Sequence, residues 1–205
     1  AGRVTLPEQS VAVGPRLHLA LLWHQHQPLY RDVGHPEPRG SYTQPWVRLH
    51  ALRDYYGMAA LAAEQPSVRV TINLTPILLW QLADYVERGA TDPALELTRT
   101  PAEALTPAER DIVATTFFEA DWHHQILRHP RYAELFAARQ ARQALDTQAV
   151  RDLQMWFNLA WFAPEFREGE VALPTGEVAS VRRFVERQRG FTHDDVEVAL
   201  RSPAK

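Results

Sequence analysis

The sequence of 205 residues contains no cysteine. This absence excludes disulfide bonds, thiolate zinc sites and cysteine nucleophiles, and it fits a reducing compartment. Long apolar runs are also missing, because the longest, Leu19–Trp23 and Ile77–Trp80, fall far below the roughly 20 residues of a membrane helix. The first residues lack the charged and then apolar pattern of a signal peptide. Together these absences predict a protein of the cytoplasm with no membrane partner.

The net charge and the absence of common motifs argue against nucleic-acid binding, phosphate-binding loops and the α/β-hydrolase turn. The formal net charge is −3, so no basic field draws the chain to nucleic acid. Glycine-rich phosphate-binding loops and the Gly-x-Ser-x-Gly turn of α/β-hydrolases are absent too. The composition, 45% hydrophobic and 23% charged, is that of a globular chain that buries a sizeable core. The sequence therefore predicts no nucleic-acid partner.

The first part of the chain shows a strand, loop, helix, strand, helix pattern. An unbroken apolar run at Leu17–His24 predicts a strand buried on both faces, as in parallel sheets. The β-branched run Val68–Pro76 predicts a second strand. Helical spacing predicts helices at Trp46–Gln65 and Ile77–Arg88, and Gly89 follows as a left-handed cap. This order predicts a βαβ unit with two parallel strands.

The second part of the chain is predicted to be helical. Thr106 to Glu109 form a capping box with a proline at the first helical position, so a helix is expected from there to about Arg128. A loop is expected at Pro164–Gly176. Further helices are predicted at Pro130–Arg142, at Thr147–Phe162, at Glu177–Arg189 and from Thr192 onward.

These patterns predict an α/β fold of which this chain contains only the first strands and helices. Two strands neither close a barrel nor make a stable sheet alone, so we expect a fragment of a larger domain. Its predicted organisation is a loose lead-in at residues 1–16, followed at residues 17–205 by the N-terminal portion of a larger α/β domain. Within that portion, residues 17–89 form the βαβ unit and residues 90–205 form a helical insertion.

The strongest chemical signal is the histidine pair at the end of the first predicted strand. Residues two apart in a strand face the same way, so His24 and His26 are expected to lie together at the carboxyl edge, where parallel α/β folds build their sites. The pair has three interpretations: structural histidines, metal ligands of an amidohydrolase or phosphoesterase, or sugar-binding groups. The metal interpretation needs further ligands from later strands, and good candidates are missing. The sugar interpretation is favoured by the neighbouring aromatic residues Trp23, Tyr30, Tyr42 and Trp46.

Other candidates lie further along the chain. Asn73 ends the second predicted strand at the same edge as the histidines, and it suits either a site contact or a structural hydrogen bond. The aromatic segment Met155–Phe166 predicts core packing. Within it, Asn158 and Trp161 are candidates to approach a sugar if their helix borders the barrel mouth.

The stretch HQHQPLY, His24–Tyr30, resembles the first signature motif of glycoside hydrolase family 57. Three later stretches resemble the segments that follow that motif in the family: Trp46–Ala59, Val70–Tyr85 and Trp156–Phe166. The similarity extends over nearly all of the chain. It implies an incomplete seven-stranded (β/α)7 barrel and an enzyme acting on α-glucans, with activities such as α-amylase or 4-α-glucanotransferase.

The resemblance also implies a mechanism. In this family a glutamate nucleophile forms a glycosyl-enzyme and an aspartate acts as acid and then base, which is retaining chemistry with the carboxyl groups about 5–5.5 Å apart. No metal or other cofactor is implied. The motifs carrying both carboxylates come later in the family's sequence, so we expect them beyond Lys205. Residues 1–205 are then expected to bind an α-glucan or maltooligosaccharide without hydrolysing it.

The resemblance assigns His24, His26 and Gln27 to the sugar at the cleavage subsite. The full set of predicted substrate-binding residues is His24, His26, Gln27, Tyr30, Asn73, Asn158 and Trp161. Two alternatives stay open: a metal-dependent hydrolase that uses the histidine pair, and a non-catalytic helical module.

Overall fold

The computed structural model describes residues 17–201, so the predicted lead-in at residues 1–16 lies outside the described residues. Two small sheets accompany a larger helical body in this part of the chain. The strands are β1 (Leu21–Gln25), β2 (Val70–Leu74), β3 (Val171–Ala172) and β4 (Val178–Ala179).

The predicted βαβ unit is present, with a break in its helix. β1 and β2 are parallel, and Leu21 lies opposite Val70 at one end of the pairing. The single helix predicted between them is three segments: α1 (Trp46–His50), a π-helical turn (Ala51–Tyr55) and α2 (Tyr56–Glu64). A π-helical turn inserts one extra residue and rotates the side chains that follow it. That rotation matters for the site.

The prediction that β1 is buried on both faces is wrong for the described residues. One face is covered, since Gln25 is only 5% exposed and its amide contacts the sulfur of Met58 on α2. The other face is open, and Leu22 on it is 64% exposed. The physical reason is that, within residues 17–201, no second layer of helices or strands packs on that face.

The helical body is built around one long buried helix. It is α7 (Thr147–Leu159), and nearly all of it is buried, with Trp156 fully enclosed between the rings of Tyr132 and Phe191. Asp146 caps α7, its carboxylate accepting the N–H of Ala149. The remaining α-helices of the described residues are α3 (Pro76–Glu87), α4 (Pro93–Arg99), α5 (Pro107–Thr116), α6 (Pro130–Gln140), α8 (Pro164–Glu168), α9 (Arg182–Arg187) and α10 (His193–Leu200).

Several helix predictions need correction at their ends. The capping box at Thr106 is confirmed, but its helix ends at Thr116, and a separate π-helical turn occupies Trp122–Ile126. The predicted loop after Pro164 contains α8 and β3, and the helix predicted from Glu177 begins instead with β4. The reason is a tight turn: Gly176 has a φ of +85°, which lets β3 and β4 pair as an antiparallel hairpin.

Helices and strands together make this an α/β chain. Each sheet has two strands within residues 17–201, and no barrel closes there, so the seven-stranded barrel stays a prediction. None of the described helices is long and apolar enough to cross a membrane.

Candidate functional site

The carboxyl edge of β1 and β2 carries an exposed polar surface, formed by His24, His26 and Asn73. His24 lies opposite Asn73 in the strand register, and its Nδ1 is 2.7 Å from the Asn73 Oδ1. An amide oxygen only accepts, so Nδ1 of His24 donates the proton of this hydrogen bond. The ring of His26 lies nearly parallel to that of His24, with centroids 5.8 Å apart and an interplanar angle of 9°. The predicted juxtaposition of the two histidines is therefore confirmed.

A buried glutamine holds the loop that follows the histidines. Gln81, fully buried on α3, accepts the N–H of Tyr30 at 2.9 Å and donates to the carbonyl of Pro28 at 2.9 Å. Both partners are backbone groups, so this one amide determines the path of the chain from Pro28 to Tyr30. Sequence reasoning missed Gln81, although a polar residue three positions after the core residue Leu78 was a signal.

Asp84, one turn beyond Gln81, anchors the far end of the same loop. Its carboxylate is 1% exposed, accepts the hydroxyl of Tyr42 at 3.1 Å and pairs with Arg31 at 3.3 Å and with Arg88. Arg31 and Tyr42 also form a β-bridge that closes the loop. Burial, with the nearby Asp84 carboxylate, raises the pKa of Tyr42 above its ordinary value, so its hydroxyl stays a donor. The loop is thus pinned at both ends by α3.

Tyr55 connects the histidine edge to the π-helical turn. Gln27 donates its amide N–H to the hydroxyl of Tyr55 at 2.9 Å, and that hydroxyl lies 3.4 Å from the carbonyl oxygen of His26. Burial raises the pKa of Tyr55, so the phenol remains protonated at neutral pH. Sequence reasoning treated Tyr55 only as an apolar position of a helix and missed this contact.

Comparison with protein-family models completes the description of this edge. The model described as Glycosyl hydrolase family 57 matches residues 20–189, which is well over half of the chain. The chain belongs to glycosyl hydrolase family 57. The resemblance drawn from His24–Tyr30 is thereby confirmed, and membership implies a carbohydrate as the class of substrate. Searches of curated proteins and of solved structures gave no match.

Two residues that the family 57 resemblance left as candidate sugar contacts, Asn158 and Trp161, lie at the end of α7 and just after it. Asn158 is 1% exposed, and its amide is used internally: Oδ1 accepts from Arg48 at 3.1 Å and Nδ2 donates to Thr98 at 3.0 Å. The structure therefore does not bring Asn158 to the histidine edge. Trp161 is 6% exposed, but its ring lies edge-on to His50, next to the π-helical turn, at a centroid distance of 5.2 Å.

A protein metal site would need at least a third ligand beside His24 and His26. No group of three or more His, Cys, Asp or Glu side chains that could hold a metal ion occurs within residues 17–201. One nitrogen of His24 is already engaged by Asn73. This edge therefore offers imidazole and amide groups that donate and accept hydrogen bonds, beside the aromatic ring of Tyr55.

Proposed function

We propose that this chain provides the sugar-binding edge of a retaining α-glucan hydrolase or glucanotransferase. The observation that carries the proposal is the exposed, parallel pair of imidazoles, His24 and His26, with His24 held by Asn73. Imidazole and amide groups both donate and accept hydrogen bonds, as sugar hydroxyls require. Gln27 and Tyr30 belong to the proposed contacts, because they lie on the loop that Gln81 positions. Asn158 is left out, since its amide is already satisfied.

A buried hydroxyl group without a hydrogen-bond partner at this edge also supports a bound ligand. Thr75 is the residue before α3, directly after β2, and its hydroxyl oxygen is buried with no hydrogen-bond partner among the described residues. Buried polar atoms are nearly always bonded in folded proteins. A hydroxyl-rich ligand seated on the edge would supply partners of the kind that this atom lacks.

We also propose that the two catalytic carboxylates lie in motifs that come later in the family's sequence than the part that corresponds to residues 1–205. Retaining hydrolysis needs a glutamate and an aspartate about 5–5.5 Å apart across the glycosidic bond. Within residues 17–201, the side chain of His24 hydrogen-bonds to Asn73 and that of Gln27 hydrogen-bonds to Tyr55. Neither partner is a carboxylate. On this proposal residues 1–205 bind sugar without cleaving it, in the cytoplasm, a location that the cysteine-free composition fits.

Calorimetric titration of the 205-residue chain with maltotriose to maltohexaose tests the proposal. We expect binding that weakens more than about tenfold in His24→Ala and His26→Ala, since each removes direct hydrogen bonds to the ligand. His123→Ala is the matched control, because His123 is an exposed histidine on the second π-helical turn. A folded chain that ignores these sugars would instead indicate a non-catalytic helical module.

Two other results would overturn parts of the proposal. Stoichiometric zinc or manganese that is lost in His24→Ala would favour a metal-dependent hydrolase. Robust release of reducing sugar from starch by the purified chain would overturn the placement of the catalytic carboxylates beyond Lys205.

A further inference from the structure

The π-helical turn brings three polar side chains together beside the histidine edge. Asp54 Oδ2 accepts a hydrogen bond from Nδ1 of His50, and the ring of Tyr55 lies 6.3 Å from the ring of His50. A π-helix bonds residue i to residue i+5, so the fourth and fifth residues after His50 both return to its side. In an uninterrupted α-helix, Tyr55 would be rotated by about 140° from His50 around the axis. Asp54 lies beside His50 at ordinary helical spacing, and the π-helical turn adds Tyr55 to the pair.

Tyr55 makes the new group continuous with the proposed sugar contacts. Its hydroxyl accepts from Gln27 at 2.9 Å and approaches the carbonyl oxygen of His26 at 3.4 Å. One side of Tyr55 thus faces the histidine edge and the other faces His50. A ligand that extends from the histidines past Gln27 would next meet His50 and Asp54.

The indole ring of Trp161 packs behind His50 and carries an N–H group without a hydrogen-bond partner among the described residues. Trp161 lies edge-on to His50 at 5.2 Å, and the guanidinium of Arg53 lies 5.7 Å from the centre of the Trp161 ring. The indole Nε1 of Trp161 is buried and has no hydrogen-bond partner within residues 17–201. Buried donors without a partner are rare in folded proteins, so this one points to an acceptor from outside the described residues.

The exposure and charge of the group indicate which ligand it suits. The side chains of His50 and Asp54 are 32% and 39% exposed, so both reach solvent without being fully hydrated. The Nε of Arg53 lies 3.8 Å from Oδ1 of Asp54, so the guanidinium offsets the charge of this carboxylate. A site with balanced charge, adjacent donors and acceptors, and an indole wall suits the neighbouring hydroxyls of a neutral sugar ring better than it suits an ion.

We infer that His50, Asp54 and Tyr55, backed by Trp161, form a second sugar-binding position that takes the glucosyl unit next to the one at the histidine edge. This inference rests on the proposed function and extends it from one ring to two. Asp54 and His50 hydrogen-bond hydroxyls of the second ring, Trp161 lines it, and Tyr55 separates the two positions.

The test compares a one-ring ligand with a two-ring ligand on the same chain. Affinities for methyl α-glucoside and for maltose are measured by NMR titration of the wild-type chain and its variants. We expect maltose to bind at least about tenfold more tightly, because only maltose reaches the second position. Asp54→Asn and His50→Gln should reduce that ratio to about threefold or less and leave the affinity for methyl α-glucoside unchanged. His24→Ala should weaken both ligands.

Matched controls and a conservative variant make the outcome decisive. Asp111→Asn on α5 and His123→Gln change exposed residues outside the group, and they should preserve the ratio. Trp161→Phe keeps an aromatic wall but removes the unpaired N–H, so it should lower the maltose affinity about fivefold. If Asp54→Asn does not fold, the maltose affinity of Trp161→Phe tests the second sugar-binding position instead.

A ratio that persists in Asp54→Asn, His50→Gln and Trp161→Phe would overturn the inference and leave the proposed function standing. Failure of wild-type chain to bind either sugar would overturn the proposed function itself, and this inference with it. The two failures are therefore distinguishable.

Discussion

Gln81→Leu tests how strongly the loop after the histidines depends on one buried amide. The wild-type amide accepts the N–H of Tyr30 and donates to the carbonyl of Pro28, each at 2.9 Å, from a fully buried position. Leucine has a similar volume but no polar atoms, so two backbone groups lose their partners. Each loss costs about 1–2 kcal/mol, so we expect the free energy of unfolding to fall by about 2–4 kcal/mol.

The assay combines urea unfolding, followed by tryptophan fluorescence, with titration of a maltooligosaccharide. We expect sugar affinity to fall at least about fivefold, because the displaced loop carries Gln27 and Tyr30. Gln140→Leu at the exposed end of α6 is the control, and its stability should stay within about 0.5 kcal/mol of wild type. A Gln81→Leu chain that loses less than about 1 kcal/mol would refute the cost assigned to the two lost partners. A destabilised chain with unchanged sugar affinity would refute the positioning role.

Two further predictions concern the interior. Arg48→Met removes the cation that pairs with the fully buried Asp92, so the free energy of unfolding in urea should fall by about 3–5 kcal/mol. Adding Asp92→Asn should restore part of the lost stability, because the unpaired charge is then gone. A loss below about 1 kcal/mol in Arg48→Met would contradict this prediction. Burial and the neighbouring Arg167, which donates to its Nε2, lower the pKa of His129 to about 4. The unfolded chain then binds the proton first, so stability should fall by up to about 3 kcal/mol as the pH drops from about 6.5 to about 4. His129→Gln should lessen this fall in urea unfolding at each pH, and an equal fall in the variant would contradict the assignment.

The elements that sequence patterns predicted well are those with local causes. The strands β1 and β2, the left-handed Gly89 with its φ of +65° and the capping box at Thr106 each follow from residues close together in the chain. The parallel pairing of the two strands then follows from the order strand, helix, strand. The hairpin of β3 and β4 was missed because each strand has two residues, too few to show an alternating pattern.

The histidine edge could be predicted for the same reason. Spacing of two in a strand is enough to place His24 and His26 on one face, and parallel pairing brings Asn73 beside them. Asn158 illustrates the opposite case. It sits in an aromatic segment that predicts core packing first and a sugar contact second, and only packing against Arg48 and Thr98 places its amide in the interior.

By itself, the sequence determined the family, the βαβ order and the pair of histidines at a strand end. Tertiary structure alone decided which polar groups support that pair. Gln81 reaches Tyr30 across 51 positions and Gln27 reaches Tyr55 across 28, and the second contact depends on a π-helical turn where helical spacing predicts a plain helix. The physical reason is that periodicity reports which face a residue occupies, whereas its partner on a distant segment depends on how whole elements pack.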